Sequence, residues 1–216
     1  MSLADLPLEV STVGNIPSEE ERIQRKISQE LLTFFNRSDA HDLVEYFDRT
    51  PSQTTSDLGY TYDLNKLSPE AQRFLAEEVS GRRIIEFGNK GYKAGYNVPS
   101  AKLFELGARS YEGCDPKYDL DALTFLLRQP DESAIVTSFG VLDDGVLYMP
   151  GCEVDRLLSK YTAELGKQIY RVTPKRGVTI HGLDSVGDLI RAGFKAESPT
   201  RDLDGARGNI TVLRKK

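Results

Sequence analysis

The chain has 216 residues, 39% of them hydrophobic and 28% charged, with a formal net charge of -5. That is one domain of ordinary size with room for an appendage, and its apolar content excludes global disorder. The acidic balance argues against a nucleic-acid partner, and no apolar run approaches the ~20 residues that cross a bilayer.

Two cysteines, Cys114 and Cys152, do not make a disulfide framework. His41 and His181 are the only histidines, and no Cys/His spacing has the form of a zinc site, so no metal is expected. The start, MSLADLPLEVSTVGNIPSEEE, lacks a basic region followed by an apolar one, so no secretory signal is read there and a cytoplasmic location is expected.

In chain order, residues 1–16 read as a loose lead-in. Ser18 with Glu21 forms a capping box, and Ile23, Ile27, Leu31, Phe34 and Phe35 continue it as the apolar face of one helix. That face packs in a core or docks a partner, and core packing is the commoner use. A short helix is predicted over His41–Phe47. Residues 48–63 are rich in Ser, Thr, Pro and Gly and predict a loop, either a lid or simply a connection. Ser68 and Pro69 then open a helix that runs to Val79 and ends at Gly81.

From residue 82 strands and helices alternate. RRIIEF is a predicted strand, PSAKLFELGA a helix with Ser100 near its cap, SYEGCD a strand, LDALTFLLRQ a helix and SAIVTSF a strand. EVDRLLSKYTAELG reads as a helix, KQIYRVT as a strand and SVGDLIRAG as a helix; FKAES and NITVLRK close the chain as strands. Alternation of this kind predicts a mostly parallel sheet with helices on both faces. The last two strands have no helix between them and should pair antiparallel. The expected organisation is an N-terminal helical extension, 1–80, and a Rossmann-like α/β domain, 81–216.

Four segments give this second region a family likeness: IIEFGNKGY, GARSYEGCDP, SAIVTSFGVLDD and LIRAGFKAES with GNITVLRK. Together they resemble the class I S-adenosylmethionine-dependent methyltransferases, whose first strand ends in an acid and a glycine turn and whose sheet closes with an antiparallel hairpin. The resemblance implies S-adenosylmethionine as cofactor, with Glu86, Gly88, Asn89, Lys90, Gly91, Asp115, Ser138 and Phe139 around it. The chain departs from the family pattern in two places. Lys90 stands where the family has a glycine, and Gly91 falls one place early. Between Asp115 and Ser133 there is room for one helix, where the family fits helix, strand and helix, so an edge strand should be missing. That strand's loop often holds the adenine in the family.

Physical reasoning supports the same edge of the sheet. Ligands of open parallel sheets bind outside the carboxyl ends of the strands, where strand order reverses. A glycine there admits close backbone approach. Glu86 is either a contact for the ligand's amino group or a capped strand end; a buried acid needs a partner, which favours the former. Asp115, at about the ~20-residue spacing of ribose-binding acids, either holds vicinal hydroxyls or caps the next helix. Lys90 either pairs with a carboxylate or fills the ligand's space. Tyr92 and Tyr96 pack on the helix or on the ligand.

For catalysis, Asp143 with Asp144 in the loop after SAIVTSF, and His181 in the loop after KQIYRVT, are candidates to orient an acceptor or take its proton. Consecutive loop acids are more often solvated, and a lone histidine is more often structural. Transfer of a methyl group from a sulfonium is a direct displacement that needs alignment above all. The expected activity is methyl transfer to a small-molecule or protein acceptor. The alternative is a catalytically inactive binding or scaffold module of the same fold. A nicotinamide oxidoreductase fits less well, because the G-x-G-x-x-G turn is absent. No NPPY pattern is present, which argues against nucleobase methylation.

Overall fold

The computed structural model describes residues 28–49, 64, 67–88, 98–114, 120–139, 152–182, 186–197 and 210–216. The capping box at Ser18, the 50–63 part of the proposed loop, Asn89, Lys90, Gly91, Tyr92, Tyr96, Asp115, Asp143 and Asp144 lie outside the described residues.

The chain is mixed α/β. Its strands are β1 (Arg83–Phe87), β2 (Ser110–Cys114), β3 (Ile135–Phe139), β4 (Val178–Gly182), β5 (Phe194–Ala196) and β6 (Ile210–Lys215). Among the described residues they form one six-stranded sheet in the order β2-β1-β3-β4-β6-β5. β2, β1, β3 and β4 run parallel, while β6 is antiparallel to both β4 and β5. The closing hairpin is therefore as expected; among the described residues β2 is the edge of the sheet, and only α5 (Ala122–Leu127) stands between β2 and β3.

Two apolar clusters cover the two faces. The first joins Ile85, Phe87, Cys114, Val136 and Leu213 of the sheet to α1 (Gln29–Phe34), α2 (Arg37–Arg49), α5, α6 (Cys152–Val172) and α7 (Gly187–Ala192). The second joins Ile84, Ile135, Val178, Ile180 and Val212 to α3 (Pro69–Val79) and α4 (Val98–Glu105). Alternate residues of a strand face opposite sides, so the run Ile84-Ile85 serves both cores, as strands buried on both faces do. The helices before Gly81 thus contribute to both faces of the sheet.

The segment KQIYRVT is not a strand: all of it but Thr173 belongs to the end of α6, and β4 comes later, at VTIHG. Its branched and aromatic residues imitate a strand locally. Over a longer span Leu158, Tyr161, Leu165, Ile169 and Val172 recur every three or four residues and are all buried. Gly166 does not end the helix. It marks the crossing with α7 instead: a Cβ there would come within 3.0 Å of the Asp188 carbonyl oxygen.

The N-terminal stripe is likewise not one unbroken helix. Ser28 is extended (φ -78°, ψ 158°) and caps α1, its hydroxyl accepting from the Leu31 amide. A serine at that conformation stops any helix before it and starts the next. Leu31 and Phe35 are buried, in keeping with core packing of that stripe. The helix expected over 41–47 is longer, so Asp48 and Arg49 are helical rather than loop. Ser100 is already within α4, which begins at Val98.

Arg214 ties the closing hairpin to α3. Its guanidinium reaches Glu78 at 2.6 Å and also pairs with Glu197, while Nη1 donates to the Arg176 carbonyl at 2.6 Å. These hydrogen bonds, that to Glu78 first, raise its pKa further above its ordinary value. Lysine cannot make the forked contact, so Arg214→Lys is expected to lower stability by about 1–2 kcal/mol in urea unfolding. The cost stays moderate because the three side chains keep 20–29% of their exposure.

Candidate functional site

The sheet order reverses between β1 and β3: the chain leaves β1 for β2 on one side, then returns to β3 on the other. The strand register aligns Cys114, Phe87, Ser138, His181 and Thr211 in one row across the sheet. All but Thr211 lie in the last two residues of a parallel strand, so the row marks the carboxyl edge. Its side chains share the face of the first cluster. The neighbouring row, Gly113, Glu86, Thr137 and Ile180, faces the second.

Glu86 is 3% exposed. Its Oε2 accepts a hydrogen bond from the Tyr111 phenol, the kind of partner a carboxyl group in an apolar strand requires. Gly88 follows β1 with φ 77°, and its amide donates to the Cys114 carbonyl at 2.9 Å. That bond draws the β1 turn against the end of β2, where the segment bearing Asp115 begins.

Ser138 is fully buried, and its hydroxyl has no hydrogen-bond partner among the described residues. Phe139 is partly buried and packs on the second cluster. His181 is not in a loop: it is the fourth residue of β4 and has no exposed surface. Its position moved because the preceding strand is later than the sequence suggested. The Thr179 hydroxyl donates to the Val136 carbonyl at 2.7 Å and lies 2.7 Å from His181 Nε2. A carbonyl only accepts, so the hydroxyl proton is committed to it and Nε2 must be the donor to Thr179. His181 is therefore the Nε2–H tautomer, with Nδ1 the acceptor nitrogen.

Glu86, Gly88, Ser138, Phe139 and His181 are thus brought to one edge of the sheet. Sequence reading passed over Tyr111 and Thr179. Tyr111 has a signal in the sequence only once Gly113 is known to lie beside Glu86, which needs the register. Elsewhere, His41, Asp42 and Glu45 on α2 place potential metal-ligand atoms within 4.8 Å of one another, far less enclosed than the edge just described. No helix among the described residues is long and apolar enough to cross a membrane.

No protein-family model matches the chain, and no curated protein matches it in sequence. Among solved structures the fold is similar to that of S-adenosylmethionine-dependent methyltransferases. One from Archaeoglobus fulgidus is 14% identical with a TM-score of 0.42, the match covering 74% of this chain and 97% of that one. A TehB-like one from Corynebacterium glutamicum is 18% identical with a TM-score of 0.40, covering 67% and 87%. Another, from Mesorhizobium loti, is 15% identical with a TM-score of 0.39, covering 68% and 96%. Likenesses this distant carry no argument by themselves; the fold rests on the strand order and the closing hairpin.

Proposed function

We propose that the chain binds S-adenosylmethionine at the carboxyl edge between β1 and β3 and directs its methyl group to a small-molecule or protein acceptor. The observation that carries this reading is the reversal of strand order at a strand end where Gly88 holds a positive φ. The residues there suit such a group: a turn with no side chain at Gly88, a buried carboxylate at Glu86, and a buried Ser138 hydroxyl with no partner among the described residues.

In this reading Glu86 faces the amino group of the ligand, and Gly88, Asn89 and Gly91 form the turn. Lys90 pairs with the ligand carboxylate and Asp115 takes the ribose hydroxyls. Ser138 and Phe139 line the floor. When bound, the cofactor supplies an electrophilic methyl group on a sulfonium. The protein's part is to fix the acceptor in line with it and exclude water. We assign the acceptor side to Asp143, which orients it, and to His181, whose Nδ1 is the basic nitrogen. Residues 1–80 act as the extension that selects the acceptor, with 81–216 holding the cofactor. The boundary at Gly81 divides roles, since both parts share the sheet's cores.

Calorimetric titration with S-adenosylmethionine and S-adenosylhomocysteine tests the reading. Micromolar binding is expected, about -8 kcal/mol, weakened tenfold or more in Asp115→Ala. Binding that Asp115→Ala leaves untouched would remove Asp115 from the site. Tight binding without transfer to any acceptor tried would favour the scaffold module.

A further inference from the structure

We infer that Tyr111 is a positioning residue: its phenol fixes the Glu86 carboxylate for the ammonium group of the ligand's amino-acid moiety, and so sets the site's preference for ligands that carry one. The inference rests on the cofactor reading above and adds a residue and a selectivity to it.

A glutamate side chain has three soft torsions, and ordering it for a ligand costs free energy at the moment of binding. Here that cost is met in advance. Oε2 of Glu86 accepts from the Tyr111 Oη, an O–H to carboxylate bond of the strong, charge-assisted kind. Tyr111 belongs to β2 and is aligned with Ile84, two residues back from Glu86 towards the amino edge. To reach the carboxylate its ring must run along the strand pair towards the carboxyl edge. It can do so because the residue beside Glu86 on the same face is Gly113, which has no side chain to block it. The acid, the tyrosine and the glycine therefore work as a set. Their position directly before the Gly88 turn puts a fixed carboxyl group under the backbone that would cradle the ligand.

A strut between β1 and β2 would be the purely structural role for the same bond. The two roles differ in which ligands they affect. A strut treats all ligands alike. A positioning residue affects only those whose ammonium meets Glu86.

The experiment uses the full chain and two probes. S-adenosylhomocysteine carries the amino-acid moiety; methylthioadenosine shares its nucleoside and thioether but lacks that moiety. Tyr111→Phe keeps the ring and removes the hydroxyl. It is expected to weaken S-adenosylhomocysteine about tenfold, the loss expected when one such hydrogen bond goes, and to leave methylthioadenosine unchanged. Glu86→Gln should show the same selectivity, and the double variant should lose little more than either single one. Equal losses on both probes, or none on either, in Tyr111→Phe would overturn the inference, and Tyr111→Met, which also lacks the hydroxyl, takes its place if the phenylalanine variant folds poorly. Wild-type protein that binds neither probe would instead sink the cofactor reading itself.

Discussion

Replacing Gly88 with valine is expected to abolish S-adenosylhomocysteine binding while leaving a folded protein. Gly88 has φ 77°, a region that costs an L-residue about 1–2 kcal/mol and a β-branched one more. In the cofactor reading proposed above, the valine side chain would also enter the space where the turn approaches the ligand. A loss of at least about 100-fold in affinity is expected, equivalent to about 2.7 kcal/mol, together with a melting-temperature drop of about 2–4 °C per kcal/mol of strain. The strain can be separated from the site with Gly81. It too has a positive φ, 68°, but precedes β1 at the opposite edge of the sheet, and a Cβ there meets nothing within 4 Å. Gly81→Val should lose comparable stability and keep its binding. If both variants bind equally well, the ligand does not sit at the β1 turn.

The second large effect is on stability. Asp121 caps α5, accepting from the Leu123 amide at 3.0 Å and the Thr124 amide at 3.1 Å. It also accepts from the Tyr161 phenol at 2.7 Å, while that phenol's oxygen accepts from the Leu123 amide at 3.0 Å. Burial, and then the neighbouring carboxylate, push the Tyr161 phenol well above its ordinary pKa, so it stays a hydrogen-bond donor. Asp121→Ala therefore removes a cap and leaves a buried hydroxyl without its acceptor. The cost should be about 2–4 kcal/mol, and a loss near 3 kcal/mol would lower the melting temperature by about 6–12 °C. Asn caps nearly as well and can still accept from Tyr161, so Asp121→Asn should recover most of it. Equal losses in the two variants, followed by thermal unfolding, would contradict this account of the cap.

Ser28, which starts α1, lies 3.4 Å hydroxyl to hydroxyl from Thr124 on the turn that Asp121 caps. The N-terminal helices and the start of α5 are thereby joined just beyond the segment that carries Asp115.

Much of the fold was legible in the sequence because its signals were local. An apolar strand that carries Glu86 and runs into Gly88, the helix of LDALTFLLRQ, and the closing strands that begin at FKAES each announce themselves within a dozen or so residues. The errors lay where a local signal competed with a longer period. Ile169, Tyr170 and Val172 look like a strand until the stripe from Leu158 is counted, and Gly166 looks like a stop until α7 is seen against it. Ser28 lies within the apolar stripe from Ile23 to Phe35, and only its extended backbone, which the sequence does not display, makes it a cap.

The candidate site was less legible than the fold. That Glu86 and Ser138 come to one edge follows from two parallel strands that the sequence shows directly, whereas His181 reaches it on a strand that lies later than the sequence suggested. That Tyr111 reaches Glu86, or that Thr179 sets the tautomer of His181, follows from register. Register is fixed by how the strands pack in three dimensions, so no run of residues displays it.

The most direct test of where the ligand binds is photo-crosslinking of methyl-labelled S-adenosylmethionine to the whole protein, followed by peptide mapping. The account predicts label in peptides that contain the end of β1 or the end of β3, competed away by unlabelled S-adenosylhomocysteine. Competed label confined to α1, α2 or the β5–β6 hairpin would contradict it.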